Sequence, residues 1–449
     1  MKNNPLICRD LAHVWHPCSH MHDFEHAPPL VVHSAQGSII QTDRGPLIDG
    51  IASWWCKSLG HGHPRVMAAI AQQMQRFEHV ISANTTHPAV VELAEHLSAL
   101  SKKQHVFFAS DGSSAVEIAL KLALHACGLK GQPEKNQFIA LHRAYHGETL
   151  ATLSLSDLPG FKIATPGFNL PCHWLHDIPY VTDTSDPLWS DCSSVWAAQQ
   201  VYLDAIKHAV CAIIVEPIVQ GAGGMLIYSA DFLRRLAAWA RQNDIYFIVD
   251  EIMTGLGRTG QWLASDHAGI EADLVCLSKG LTSGTLPLSC VMIDHSLFAL
   301  CNDKNNPSAS FLHSHTFSGH PLAVCAALAT LEVMESENIN AQASALGEYM
   351  RKGFEQVAVS TKKLTNIRSI GALVAGDLIA PPNTRLGAVV AQEAIKHGAL
   401  LRPIGQTLYW LPPLNTDHST IDRLAQSTHR AILSAYAQPL SPSLCNALA

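Results

Sequence analysis

Two charged residues each close a short apolar run, and their types point to one chemistry. Lys279 follows the run Leu274–Ser278, and Asp250 follows the run Tyr246–Val249. Apolar runs of this length predict buried strands, so the sequence would deliver an amine and a carboxylate at two strand ends. Enzymes that use pyridoxal phosphate need such a pair, because a lysine forms a Schiff base with the cofactor and an acid keeps its pyridine nitrogen protonated. The pair therefore predicts a pyridoxal 5′-phosphate site.

Two other segments fit the same cofactor. Gly112 and Ser113 follow a strand-like run and begin a predicted helix, whose free backbone N–H groups could bind a phosphate. Ser114 and Glu117 have the spacing of a capping box at this helix start. Tyr145 follows the next predicted strand, where an aromatic ring could stack on a planar cofactor. Taken alone, each segment is better explained structurally, the first as an ordinary helix cap and the second as a tyrosine packed against the sheet end.

A glycine motif raises an alternative. Gly255–Gly260 matches the GxGxxG pattern of dinucleotide-binding proteins, which would indicate a nicotinamide-dependent oxidoreductase. The context argues against it, because Glu251–Thr254 separate the motif from the predicted strand and a loop containing Trp262 follows it. The next acid, Asp273, begins a predicted strand rather than ending one.

Composition excludes several classes of protein. The chain has 449 residues, of which 47% are hydrophobic and 15% charged, typical of an ordered protein with a large core. A net charge of −7 without a Lys/Arg run argues against nucleic acid. Residues 1–17 lack an apolar signal core, and the most apolar stretch, Pro321–Met334, is too short to span a membrane. The twelve cysteines show no CxxC spacing, which favours thiols in a reducing cytoplasm.

Histidine pairs raise the question of a metal. Three His-x-His pairs occur, at His20 and His22, His61 and His63, and His313 and His315. None is accompanied by a CxxC or HExxH element, so no metal site is predicted.

The order of predicted elements indicates an α/β protein. Strand and helix signals alternate over most of the chain, which predicts a mostly parallel sheet wrapped in helices. Three parts are predicted: an N-terminal segment joining the small domain (1–60), a large cofactor-binding domain (61–329) and a smaller α+β domain (330–449). Residues 155–195, rich in Pro and Asp, are predicted to be a surface excursion.

At this point the chain resembles a known family. Val249–Gly260, followed by Leu277–Leu281, is similar to the signature of the class III pyridoxal phosphate aminotransferases. The resemblance extends over essentially the whole chain. It implies the fold type I of pyridoxal phosphate-dependent transferases, with a mostly parallel seven-stranded sheet in the large domain. It also implies a homodimer with active sites at the subunit interface.

Within this family the chain resembles a subgroup that acts in biotin synthesis. Members transfer the amino group of S-adenosylmethionine to 8-amino-7-oxononanoate. The closer marks are Val14–Pro17, Ser53–Trp55, Ile218–Met225 and Leu401–Pro403. Ornithine- and GABA-type members carry an arginine where this chain has Tyr409, so their charged partner for Glu216 is missing.

The resemblance implies a role for each matched residue. The implied cofactor-binding residues are Gly112, Ser113, Tyr145, Asp250, Lys279, His315 and Thr316. Lys279 would be the Schiff-base lysine and proton shuttle, and Asp250 the partner of the pyridine nitrogen. Tyr145 would stack on the ring, and Thr316 would close the phosphate site from the neighbouring subunit. The implied substrate-binding residues are Cys18, Trp54, Tyr145, Lys279, Ser314 and Arg402, where Arg402 would grip a carboxylate.

Three positions depart from the family pattern. Cys18 stands where a tyrosine is usual, and Ser314 and His315 stand where Gly-Pro is usual. The departure at Cys18 leaves open a lysine donor, or another ω-amine aminotransferase. A non-catalytic scaffold is a further alternative, against which the retained Lys279 and Asp250 argue.

Overall fold

The computed structural model describes residues 4–163, 165–381 and 384–438. The described helices, α1 to α15, are Pro5–His13, Ala52–Trp55, Pro64–Met74, Pro88–Ser101, Gly112–Leu129, Leu150–Ser154, Pro159–Lys162, Pro187–Ser190, Ser193–Ile206, Ala230–Gln242, His295–Leu300, Pro321–Ser336, Ile339–Thr361, Leu386–Lys396 and His418–Tyr436. The described strands, β1 to β17, are Val32–Gln36, Ile39–Thr42, Gly45–Asp49, His105–Ala109, Gln137–Leu141, Cys172–Leu175, Tyr180–Val181, Val210–Val215, Val219–Gln220, Leu226–Tyr228, Tyr246–Asp250, Leu274–Leu277, Ser289–Ile293, Leu364–Ile370, Leu373–Leu378, Ala399–Leu400 and Thr407–Trp410.

The main sheet has seven strands in the order β4-β13-β12-β11-β8-β5-β6. β13 runs antiparallel to both of its neighbours, whereas the other adjacent pairs are parallel. The predicted α/β fold with a mostly parallel seven-stranded sheet is therefore confirmed.

Helices cover both faces of this sheet. Along β11, Phe247 and Val249 belong to one hydrophobic cluster and Tyr246 and Ile248 to the other, because successive side chains point to opposite faces. Residues of α10 pack in the first cluster and residues of α5 in the second. Burial on both faces explains why these strands are nearly continuous apolar runs in the sequence.

Three smaller sheets complete the fold, with the orders β1-β2-β3-β16, β7-β10-β9 and β14-β15-β17. β3 pairs in parallel with β16, which brings Asp49 opposite Leu400. Strands from the two ends of the chain thus share one sheet. The division into 1–60, 61–329 and 330–449 stays a prediction, and residues 1–3 and 439–449 at its ends lie outside the described residues.

Two local predictions are wrong. The supposed surface excursion 155–195 contains β6, which pairs with β5 as an edge strand of the main sheet. The cap of α5 is Asp111, whose side chain accepts a hydrogen bond from the backbone of Ser114 (3.0 Å). Glu117, the supposed second half of a capping box, instead accepts from the hydroxyl of Thr149.

In the described part of the chain, no helix has the length and apolar character needed to cross a membrane.

Candidate active site

Three parallel strands bring acidic and basic residues to one edge of the main sheet. Glu216 follows β8, Asp250 ends β11, and Lys279 comes two residues after β12. The register pairs Val249 with Val215 and Asp250 with Cys276, so these strand ends lie side by side. The carboxyl ends of parallel strands are where α/β proteins place their sites.

Lys279 is held in an unusual position. Its backbone has φ of +40°, in the left-handed region, and its side chain is half-buried. The amine lies 4.9 Å from the centre of the Trp55 ring, and no described residue forms a hydrogen bond or ion pair with it. Burial lowers the pKa of Lys279, although attraction from Asp250, Glu216 and Cys56 opposes this. A larger fraction of this lysine is therefore in the neutral amine form than would be the case in water at the same pH.

Asp250 is buried and oriented by a histidine. Its Oδ2 atom lies 2.8 Å from Nδ1 of His146, and its Oδ1 accepts from the backbone of Ile252 (3.2 Å). A carboxylate oxygen has two lone pairs, so each oxygen can accept one more hydrogen bond. Sequence reasoning missed His146; its only signal was its place directly after Tyr145.

Tyr145 lies beside these acids. Its backbone N–H donates to Glu216 (3.0 Å), and its hydroxyl donates to Glu148 (2.8 Å). Burial raises the pKa of Tyr145, and the hydrogen bond to Glu148 raises it further, so the phenol stays neutral. Burial likewise raises the pKa of Glu216 to about 7. No role for Glu148 was predicted from the sequence.

The start of α5 forms a second wall of the site. No described residue accepts a hydrogen bond from the backbone N–H of Gly112 or Ser113, as expected for the first turn of a helix. Glu148 donates its backbone N–H to the Ser113 hydroxyl (3.4 Å), which ties the segment after Tyr145 to this turn. A Cβ on Gly147, where φ is +127°, would collide with the Ser113 side chain. The free N–H donors at this closely packed turn suit an anion.

Arg402 lies against Trp54, next to the tryptophan that faces Lys279. Its guanidinium lies 4.5 Å from the centre of the Trp54 ring, and its Nη2 donates to the backbone oxygen of Cys18 (2.8 Å). Arginine has five N–H donors, so others remain for a ligand. Burial raises the pKa of the Cys18 thiol, and the nearby charge of Glu148 adds to this. Cys18, Trp54 and Arg402 therefore lie together, and their role in binding substrate stays a prediction.

Trp54 belongs to a strained turn. Ala52, Ser53, Trp54 and Trp55 have φ of 47°, 46°, 78° and 70°, so α2 is a left-handed turn. Left-handed backbone costs residues with a side chain about 1–2 kcal/mol each. The indole N–H of Trp55 donates to the hydroxyl of Tyr409 (2.9 Å). Backbone strain of this kind concentrates at functional sites.

Three residues that the family resemblance assigned to the site make no described contact with Lys279 or its neighbours. Ser314 and Thr316 are exposed, and Nε2 of His315 lies 2.9 Å from Nε2 of His313. No described hydrogen bond or ring contact joins any of the three to Lys279 or its neighbours. The role of Thr316 in the neighbouring subunit's site and the binding roles of Ser314 and His315 stay predictions. Across residues 4–163, 165–381 and 384–438, no group of three or more His, Cys, Asp or Glu side chains could hold a metal ion.

The glycine motif at 255–260 has a packing role. Gly257 and Gly260 have φ of 84° and 88°, and a Cβ on either would collide with side chains of α13. Between them, Arg258 donates to the backbone oxygens of Ala372 and Pro412, both at 2.9 Å. The glycines therefore allow close packing of this loop on α13.

Comparison with known proteins identifies the family. The model of the family described as Aminotransferase class-III matches residues 21–432. The chain belongs to the class III aminotransferases. The cofactor of this aminotransferase is accordingly pyridoxal 5′-phosphate.

Relatives of this aminotransferase carry more than one name. It is 39% identical over 415 residues to the adenosylmethionine-8-amino-7-oxononanoate aminotransferase of Synechococcus elongatus, covering 89% of this chain and 94% of that protein. It is 31% identical over 417 residues to the putrescine–pyruvate aminotransferase of Pseudomonas aeruginosa, covering 88% of each. Among solved structures, an amine transaminase from an uncultivated Pseudomonas species, in its pyridoxal phosphate-bound form, superposes with a TM-score of 0.87. That pair is 28% identical, with 94% of this chain and 99% of the other covered.

Proposed function

We propose that this aminotransferase transfers the amino group of S-adenosylmethionine to 8-amino-7-oxononanoate, forming 7,8-diaminononanoate in the cytoplasmic synthesis of biotin. The observation that carries the proposal is Arg402, whose guanidinium stacks on Trp54 and donates to the backbone oxygen of Cys18. A fixed guanidinium is suited to the carboxylate of this acceptor. Relatives named for the same reaction support the assignment.

The residues of the site fit pyridoxal phosphate. The free N–H groups of Gly112 and Ser113 would hold the phosphate. The spare lone pairs of Asp250 would accept a hydrogen bond from the protonated ring nitrogen. Tyr145 would lie against the ring, and Lys279 would bind the cofactor's carbonyl carbon. When bound, the cofactor supplies an electron-withdrawing ring that stabilises negative charge on the substrate carbon next to the amino group.

The protein's own groups then move the proton. The amine of Lys279, whose pKa burial lowers, takes the proton from the substrate carbon that bears the amino group. It later returns a proton during the second half of a ping-pong reaction, a general acid–base contribution of roughly 10²–10⁴-fold. Trp55, packed against this amine, keeps water from it.

A second donor class is favoured by one observation. The carboxylate of Glu148 lies at the same side of the site as Cys18, where the distal ammonium of a diamine or of lysine could pair with it. The putrescine-dependent relative belongs to the same family. Lysine or a simple diamine is therefore the alternative donor.

A donor panel separates these candidates. Purified enzyme loaded with cofactor is incubated with 8-amino-7-oxononanoate and either S-adenosylmethionine, lysine or putrescine, and 7,8-diaminononanoate is measured by mass spectrometry. We expect product with S-adenosylmethionine. Product with lysine alone would overturn the donor, and amination of pyruvate without any diaminononanoate would overturn the acceptor. Lys279→Ala is the control, which should give no product and no borohydride-trapped cofactor.

We also propose a homodimer in which Ser314, His315 and Thr316 complete the neighbouring subunit's site. Ser314 and Thr316 are exposed, and no described hydrogen bond or ring contact joins this loop to Lys279 or its neighbours; both observations support the proposal. Mixed dimers test it. If sites are shared, refolding Lys279→Ala together with Thr316→Ala restores one intact site per mixed dimer, whereas each variant alone is impaired at low cofactor concentration. No restoration would mean that each chain builds its own site.

A further inference from the structure

The left-handed turn Ala52–Trp55 needs a restraint. Residues with a Cβ visit this conformation singly, and runs of four are disfavoured at every step. Such backbone persists only where the surrounding structure fixes it. Hydrogen bonds within the turn, such as Trp55 N–H to the oxygen of Ile51 (2.8 Å), would form equally in a right-handed turn.

Asp49 supplies the restraint. Its carboxylate is fully buried, and Oδ1 accepts from the backbone N–H of Ser53 (2.9 Å). Oδ2 accepts from the Ser53 hydroxyl (2.6 Å) and lies 2.9 Å from Nε2 of His61. Burial raises the pKa of Asp49, but hydrogen bonds from His61 and Ser53 outweigh this, so the net pKa is lowered and the group is a carboxylate. Both of its oxygens thus hold the same residue of the turn.

His61 is itself fixed. Its backbone N–H and C=O form two hydrogen bonds with Gly37, at 2.8 and 2.9 Å, at the hairpin between β1 and β2. The ring that meets Asp49 therefore belongs to the same small sheet. The restraint has rigid support on both sides, from the end of β3 and from this hairpin.

The turn determines where two aromatic rings lie. Trp54 stacks on Arg402 at 4.5 Å, and Trp55 lies 4.9 Å from the amine of Lys279. In a right-handed turn these side chains would leave the backbone in other directions. The hand of the turn thus affects both the proposed carboxylate grip and the environment of the lysine.

Arg402 and Tyr409, which contact Trp54 and Trp55, both lie close in sequence to residues that hydrogen-bond or pair with the end of β3. Asp49 is paired with Leu400, two residues before Arg402. The backbone of Leu411, just after β17 and Tyr409, donates to the oxygen of Gly50 (2.8 Å). A shift of the turn relative to the end of β3 would therefore misalign both ring contacts together.

We propose that the Asp49 carboxylate is a positioning residue of the active site, which holds the left-handed turn and so places its two tryptophan rings. The proposal rests on the proposed function in one respect: it assumes that the rings of Trp54 and Trp55 face the substrates.

Asp49→Asn in the cofactor-loaded enzyme tests the proposal. An amide keeps the size of the side chain, but it has one acceptor atom instead of two and cannot serve Ser53 and His61 as before. We expect the near-ultraviolet circular dichroism of the tryptophans to weaken while the far-ultraviolet spectrum is retained. We expect kcat/KM for 8-amino-7-oxononanoate to fall on the order of 10- to 100-fold, mainly through KM, because small misplacements of binding groups have effects of this size.

Two further variants keep the test decisive. Asp43→Asn changes an aspartate in the connection between β2 and β3, which accepts a backbone hydrogen bond from Val31 (3.0 Å) away from the left-handed turn, and should alter neither readout. Ser53→Ala removes one hydrogen bond of the restraint and serves if Asp49→Asn does not fold. It should shift both readouts in the same direction by less.

The outcomes are distinguishable. If Asp49→Asn only lowers the unfolding temperature, and the folded enzyme keeps the wild-type dichroism and kcat/KM, the role is structural and the proposal fails. If the wild-type enzyme does not use 8-amino-7-oxononanoate, the proposed function fails. In that case the dichroism and the kcat/KM for whichever substrate is turned over still decide the role of Asp49.

Discussion

The amine of Lys279 faces the ring of Trp55 at 4.9 Å, and no described residue forms a hydrogen bond or ion pair with it. The face of an aromatic ring attracts a cation, but it supplies no lone pair to replace those of water. The charged form of Lys279 therefore destabilises the folded protein when the cofactor is absent.

Replacing this lysine should stabilise the cofactor-free protein. Burial lowers the pKa of Lys279 below its usual 10.5, so its contribution to stability is present above pH 10.5 and is lost as the pH falls through the lowered value. At neutral pH we expect Lys279→Met to raise the urea midpoint of unfolding, with the gain shrinking toward pH 10.5. Lys352→Met, at an exposed position, is the control and should change little. A lower midpoint for Lys279→Met would contradict the prediction.

Arg402→Lys should weaken the binding of carboxylate substrates. Lysine keeps the charge but lacks the planar group that both stacks on Trp54 and binds the backbone of Cys18. We expect KM for 8-amino-7-oxononanoate to rise roughly 10-fold, the value of one hydrogen bond to a charged group, with little change in kcat. Steady-state kinetics measures both constants. An amine substrate without a carboxylate provides the internal comparison, and an equal rise in its KM would argue for general disruption.

The buried Glu216 should give stability a distinct pH dependence. Burial raises its pKa from 4.5 to about 7, so its stabilising contribution is complete below pH 4.5 and is lost as the pH rises through about 7. This difference corresponds to roughly 3 kcal/mol in the free energy of unfolding. Glu216→Gln does not titrate, so urea unfolding across this range should show a flatter profile for the variant. Exposed Glu134→Gln should keep the wild-type profile, and parallel profiles for wild type and Glu216→Gln would refute the assignment.

Two glycines of α13 should respond oppositely to alanine. A Cβ on Gly347 would overlap the backbone oxygen of Gly371, at the tight turn between β14 and β15. We expect Gly347→Ala to lower the free energy of unfolding by about 3 kcal/mol or to prevent folding, because neither backbone can move aside. A Cβ on Gly353 has its nearest neighbour at 3.6 Å, an ordinary contact. Gly353→Ala should therefore stabilise by roughly 0.5–1 kcal/mol, since alanine favours the helix. Thermal unfolding of both variants checks the pair, and equal effects would contradict it.

The sequence predicted those parts of the fold that depend on local pattern. The strands before Asp250 and Lys279 are apolar runs because both of their faces are buried, so their ends could be located by pattern alone. The edge strand Cys172–Leu175 was missed because it lies within a polar, proline-containing stretch. Asp111 was missed as the helix cap because serine and aspartate both occur at that turn and both can cap.

Other parts of the site depend on residues distant in sequence. Nothing in the order of residues signals that His146 meets Asp250, since the contact joins positions 104 residues apart. The restraint of the left-handed turn by Asp49 and His61 likewise arises only when β3 and the hairpin pack together. The proposed role of Ser314 and Thr316 in a neighbouring site requires a second subunit. The sequence indicates such a subunit only through its resemblance to a family.

The contact between Arg402 and residue 18 has a consequence for how this enzyme could diversify. The guanidinium holds the backbone oxygen of Cys18, and every amino acid offers the same oxygen. The side chain at position 18 can therefore be exchanged while the anchor of Arg402, the proposed carboxylate-binding residue, is kept. Natural drift or a mutant library at this single position could explore new amino donors while the acceptor specificity is inherited unchanged.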